Sequence, residues 1–107
     1  ETSLFFTATE DNAVVGYIGM SVVVDEGYIF NVAVDGTHRN RGIGSALVET
    51  LVTYAKKLNL SFLTLEDRES NGNARSLYEK FGFIKVGERK NYYSSPTENA
   101  VLMTRCF

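Results

Sequence analysis

Apolar and polar positions change rhythm several times along the chain, and each change marks an element. Residues 4–9 form a short apolar, β-prone run closed by the turn-like Glu10-Asp11-Asn12. Residues 13–24 are rich in Val, Ile and Tyr and predict a long strand. Gly16 and Gly19 inside it predict a bulge or a close backbone approach. Asp25-Glu26-Gly27 is a second turn signal, and residues 28–34 are a third strand. Connections this short suit antiparallel neighbours. The period then lengthens. Ile43, Ala46, Leu47, Leu51, Tyr54, Ala55 and Leu58 recur at three- and four-residue steps, the mark of an amphipathic helix. Residues 61–66 return to a period of two, with Phe62, Thr64 and Glu66 on one face and Leu63 and Leu65 on the other. Ala74, Leu77, Tyr78 and Phe81 predict a second, shorter helix, with Asn71 or Asn73 as N-cap and Gly82 at C′. Residues 83–88 and 100–105 read as two last strands. Between them, residues 91–99 hold the one proline, Pro96.

The order β-β-β-α-β-α-β-β places one β-α-β unit, hence one parallel pair, among antiparallel strands. The expected fold is a single α/β (α+β) domain with a mixed central sheet, and no internal repeat divides it. Composition narrows the function classes. The chain has 107 residues, 44% hydrophobic and 22% charged, enough for one core. A net charge of −2 and a pI near 5.4 argue against a general nucleic-acid binder. The single cysteine, Cys106, fits a reducing compartment, and no apolar run reaches bilayer length. A cytoplasmic protein with no membrane partner is expected. No metal-ligand spacing is present.

The candidate chemistry begins at His38-Arg39-Asn40-Arg41-Gly42-Ile43-Gly44-Ser45. Two glycines open a helix whose first N–H groups and positive dipole end are unpaired, and Arg39 and Arg41 add charge at the rim. That combination receives phosphate or pyrophosphate; the plain alternative is a loop that starts a helix. A P-loop needs Lys-Ser or Lys-Thr after its last glycine, and Ser45-Ala46 stand there instead. A dinucleotide fingerprint needs a small residue where Leu47 stands and glycines directly after a strand, whereas residues 35–41 intervene.

The remaining pattern is Arg39-x-x-Gly42-x-Gly44 between an apolar strand and an amphipathic helix. It resembles the coenzyme A pyrophosphate loop of the GNAT N-acetyltransferases. Asn31-Val32-Ala33-Val34-Asp35 resembles the strand leading into that loop. Leu65-Glu66-Asp67-Arg68-Glu69-Ser70-Asn71, Ala74 to Phe83 (ARSLYEKFGF) and Arg89-Lys90-Asn91-Tyr92-Tyr93 resemble successive segments of the branch that acetylates ribosomal-protein alanine. The likeness covers roughly residues 28–105. It implies acetyl-CoA as co-substrate and a protein or peptide N-terminus, such as that of a ribosomal protein, as acceptor. It also implies that N–H groups of Asn40, Arg41, Gly42, Ile43, Gly44 and Ser45 hold the pyrophosphate. The pantetheine arm is then expected beside Val32, Ala33 and Val34, where the strand splays from its neighbour, and Asn71 touches the coenzyme.

The resemblance further implies that Glu66 is the general base and Tyr78 the general acid. Otherwise Glu66 is a surface carboxylate paired with Arg68 or Arg75, Tyr78 is a core tyrosine and Asn71 a plain N-cap. Tyr92 and Tyr93 either line the acceptor groove or pack a hairpin. Asp67 stands where the branch has valine; strand alternation points it away from Glu66. The family places a strand and one or two helices ahead of the residues matching Leu4. Their lack here leads us to expect part of a longer chain, or one that associates to cover a sheet edge. Acetylation of a lysine or small amine, and coenzyme binding without turnover, are the alternatives.

Overall fold

The computed structural model describes residues 2–36 and 42–107, with Asn31 as backbone only. In chain order the elements are β1 (Thr2–Glu10), β2 (Ala13–Val23), β3 (Glu26–Val34), α1 (Ile43–Lys57), β4 (Phe62–Arg68), α2 (Gly72–Lys80), β5 (Ile84–Tyr93) and β6 (Glu98–Cys106). The strands form one sheet in the order β1-β2-β3-β4-β6-β5. Only β3 and β4 run parallel, across α1, as the β-α-β pattern requires. The last two strands are longer than the apolar pattern suggested. Pairing between β5 and β6 continues to Tyr93 and Glu98, because polar residues carry the same ladder once the hairpin leaves the core.

Both helices lie on one face. Leu47, Val48, Leu51, Val52 and Ala55 of α1 share a buried cluster with Tyr78 of α2 and with Ile18, Met20, Leu63, Leu65, Val101 and Met103 from the sheet. The alternation read in β4 holds: Leu63 and Leu65 are buried on the helix side, while Phe62, Thr64 and Glu66 are half-buried on the other. Gly82 takes a φ of 88° one residue beyond the C-cap of α2, the left-handed stop expected of C′ glycine. Among the described residues no helix is long and apolar enough to cross a bilayer.

The expected irregularity of β2 falls at two places. Its pairing with β1 shifts at Ala8/Thr9, opposite Val15. Its pairing with β3 shifts beside Gly19: Gly19 faces Asn31 and Met20 faces Ile29, so Phe30 is the extra residue of a β-bulge. The Phe30 ring packs edge-on against Phe5, centroids 5.4 Å apart. Both rings lie over Gly19, where an added Cβ would come within 2.8 Å of Phe5 and 2.9 Å of Phe30.

The bulge coincides with the end of the parallel ladder. Pairs run from Glu26–Phe62 to Ile29–Leu65 and stop. Beyond them β3 continues against β2 alone, and β4 against β6 alone. The two strands part over residues 30–34 and 66–68. At the closed end Gly27 faces Leu63, and a Cβ there would lie 2.6 Å from Leu63 and 3.0 Å from Leu60, both buried.

Gly27→Ala is therefore expected to overpack the core and cost about 1–3 kcal/mol. Thermal unfolding checks this: Gly27→Ala should melt several degrees below the parent, whereas Gly87→Ala, with nothing within 4 Å of its added Cβ, should leave Tm nearly unchanged. Equal losses in the two variants would contradict the packing account.

Candidate active site

The parting of β3 and β4 opens between two hollows on opposite faces of the sheet. On the helix side lies a groove of about 580 Å³. Its walls are Val32, Ala33 and Val34 of β3, Gly42 to Ser45 at the start of α1, and Asn71, Asn73, Ala74 and Leu77 at the start of α2. On the other side is a hollow of about 450 Å³ lined by Tyr28, Phe30, Thr64, Glu66, Arg89, Tyr92, Tyr93 and Leu102, with the backbone neighbours Ile29 and Leu65.

The groove favours an anion for local reasons. Neither α1 nor α2 carries an acidic residue in its first turn, and neither N-cap makes a side-chain capping bond. Their N-terminal N–H groups and positive dipole ends border the groove. Gly42, the N-cap of α1, has φ 77° and an open flank, so its glycine meets a backbone requirement. Gly44 lines the groove and also meets a packing requirement. An added Cβ there would sit 3.2 Å from Leu77, so Gly44 lets α1 approach α2. Arg39, Asn40 and Arg41, with His38, lie outside the described residues.

Asn71 is the N-cap of α2, yet its amide does not cap the helix. Its Nδ2 donates to Asp67 Oδ1 at 3.2 Å, and the Arg68 N–H donates to the same oxygen at 2.9 Å. Asp67 points to the helix side, away from Glu66, as alternation required. Burial pushes its carboxyl above the ordinary aspartate range, against the lowering effect of those two bonds and of Arg75. Asp67 Oδ2 is buried and has no hydrogen-bond partner among the described residues.

Tyr78 lies on the same side, 5% exposed, with its ring 5.8 Å from that of Phe83. That burial, and secondarily the Asp67 charge, push the phenol well above the usual tyrosine range, so it stays protonated at neutral pH.

Glu66 opens into the other hollow. It pairs with neither Arg68 nor Arg75. Arg89 Nε donates to its Oε1 at 3.1 Å, while Oε2 is buried and without a partner among the described residues. Arg68 instead binds Glu98 at 3.0 Å and the carbonyls of Pro96 and Ser94, and its guanidinium lies 4.5 Å from the Tyr93 ring centre. Arg75 donates to the carbonyls of Arg68 and Glu69. Tyr92 and Tyr93, edge to face at 5.1 Å, line this hollow rather than only packing the hairpin.

Glu66 and Tyr78 thus lie on opposite faces of the sheet, Glu66 lining the hollow and Tyr78 in the core on the helix side. Sequence reasoning singled out both, with β3 and the two glycines. It gave no role to Arg89, nor to Tyr28 and Phe30 in the wall, because their place depends on cross-strand register. No group of metal-binding side chains occurs among the described residues.

Comparison with known proteins agrees with this geometry. The chain is 43% identical over 97 residues to the [ribosomal protein bS18]-alanine N-acetyltransferase of Haemophilus influenzae, a match covering 88% of the chain and 66% of that protein. The chain thus spans about two thirds of that relative's length. The crystal structure of the ribosomal-protein-S18-alanine N-acetyltransferase from Escherichia coli superposes with a TM-score of 0.92 at 36% identity, covering 97% of the chain and 68% of that structure. A candidate streptothricin acetyltransferase from Bacillus anthracis, solved in complex with acetyl coenzyme A, matches with a TM-score of 0.88 at 26% identity, over 100% of the chain and 64% of that structure. Residues 1–83 match the model of the acetyltransferase (GNAT) family, and the chain belongs to that family.

Proposed function

We propose that the chain transfers the acetyl group of acetyl-CoA to a protein N-terminal α-amine, the N-terminal alanine of a ribosomal protein being the preferred acceptor. The observation that carries the reading is the gap between β3 and β4, with an anion-favouring groove on one side and a carboxylate among aromatic rings on the other. The names and identities of the relatives support the acceptor.

In this reading the pyrophosphate sits at the start of α1, against Gly42 to Ser45 and the preceding Arg39, Asn40 and Arg41. The pantetheine arm lies along Val32, Ala33 and Val34, with Asn71 beside it. That places the thioester in the gap, where a β3 N–H can stabilise the developing oxyanion. The amine enters from the Glu66 side. Its reference pKa of about 7.7–8.0 leaves a useful neutral fraction at physiological pH, unlike a lysine near 10.4. The amine nitrogen attacks the acetyl carbon, and the Glu66 carboxylate takes the proton, directly or through water. The C–S bond then breaks, and the coenzyme thiolate takes a proton from the Tyr78 hydroxyl. Products are the acetylated amine and free coenzyme A.

The two proton transfers differ in difficulty. A free thiol has pKa about 8.5, and the buried phenol lies far above it, so donation by Tyr78 is uphill. Tyr78→Phe is expected to lower kcat about 10-fold, and Glu66→Gln about 100-fold, each with little change in acetyl-CoA affinity. Steady-state kinetics with an alanine-starting peptide checks both; parent rates in either variant would return that residue to a structural role.

Thiol release from acetyl-CoA, measured in the intact protein with an acceptor panel, tests the activity. The alanine peptide should be acetylated at its α-amine in preference to a lysine side chain or a small amine. Turnover confined to lysine or small amines would replace the acceptor class, and acetyl-CoA binding with no turnover would favour a binding module.

A further inference from the structure

Glu66 and Arg89 stand on strands that are not neighbours. β6 lies between β4 and β5, and the register places Leu102 beside Glu66 and Ala100 between Arg68 and Arg89. Two strand spacings amount to about 9–10 Å, a span that calls for a long side chain. Ala100, small and fully buried, leaves the surface between the two arginines low enough for the guanidinium to pass. Arg89 Nε meets Glu66 Oε1 at 3.1 Å, and its guanidinium carbon lies 5.8 Å from the Tyr92 ring centre.

The backbone carrying Arg89 is itself fixed. Register breaks just after it, where several residues of β5 face Asn99 alone before Tyr93 pairs with Glu98. Asn91, at φ 51°, donates its N–H to Asn99 Oδ1 at 2.9 Å, which closes the irregular turn of the strand. Arg68 holds the hairpin from the other side through the carbonyls of Ser94 and Pro96.

The Arg89–Glu66 pair is too exposed to matter much for stability: the side chains are 55% and 29% accessible. Its geometry has another consequence. Arg89 holds one carboxylate oxygen, the other is buried and without a partner among the described residues, and the Glu66 side chain lines the aromatic hollow. We propose that Arg89 is a positioning residue for the acetyl transfer. By fixing Oε1 it sets the rotamer of Glu66 at the wall of the hollow through which the amine arrives. This inference rests on the reading of Glu66 as general base. A carboxylate released from Arg89 would rotate among several staggered positions, few of them aimed at the gap.

A double-mutant cycle in the intact protein tests this, with acetyl-CoA and an alanine-starting hexapeptide as substrates. Arg89→Ala should lower kcat about 10-fold, change KM for acetyl-CoA less than about twofold, and melt within about 2 °C of the parent. Arg89→Lys, which keeps the charge and most of the reach but loses the planar fork, should recover part of the rate. In a Glu66→Gln background, Arg89→Ala should cost little more, because the group it positions is already gone. A full additional 10-fold loss in that background would overturn the inference while leaving Glu66 as base. So would an unchanged rate in Arg89→Ala, or a faster one, which would make Arg89 a plug rather than a support. Parent activity in Glu66→Gln would overturn the base assignment itself, and the inference with it.

Discussion

Pairing between β3 and β4 holds through Ile29 and Leu65 and fails at Phe30, the residue with no counterpart on β2. Backbone N–H and C=O groups need partners, and a strand inside a sheet normally finds them on both sides. Past the bulge, β3 is held on one side only, so every second residue presents its polar backbone groups to a gap. The sheet therefore contains, in its middle, the kind of edge that proteins usually keep at the rim or cover. Gly19 makes room for the Phe5–Phe30 ring pair above the bulge, and Gly27 lets the strands close tightly at the other end. Closure at one end and parting at the other produce a wedge rather than a tear.

The wedge separates two chemical environments that would interfere if they shared one surface. On the helix side, the two helix N-termini favour an anion, and no carboxylate lines the groove among the described residues. On the other side stand Glu66 and the tyrosines. Strand alternation alone performs this sorting. Glu66 and Asp67 are adjacent in sequence yet face opposite sides. Asp67, where the related branch has valine, spends its charge on Asn71 and on keeping the Tyr78 phenol protonated.

Much of this was legible in the sequence, for identifiable reasons. The element order followed from changes of hydrophobic period, and the parallel pair from the β-α-β unit. The two faces of β4 followed from alternation at residues 61–66. Glycine positions announced irregular backbone, but not which kind. Gly44 read as a place for a ligand, and its packing against Leu77 was not legible. The partner of Glu66 was missed because sequence proximity suggested Arg68 or Arg75, whereas Arg89 reaches it across an intervening strand. Such pairings depend on register between three strands, and no local pattern encodes that.

The central claim is that the gap between β3 and β4 is the seat of acetyl-CoA. Amide hydrogen exchange in the intact protein, with and without acetyl-CoA, addresses it at the level of single backbone groups. Residues 26–29 and 62–65, already paired, should exchange slowly in both states. Acetyl-CoA should slow exchange within residues 30–34 and at 42–45. Bound coenzyme that leaves residues 30–34 unprotected would contradict the account.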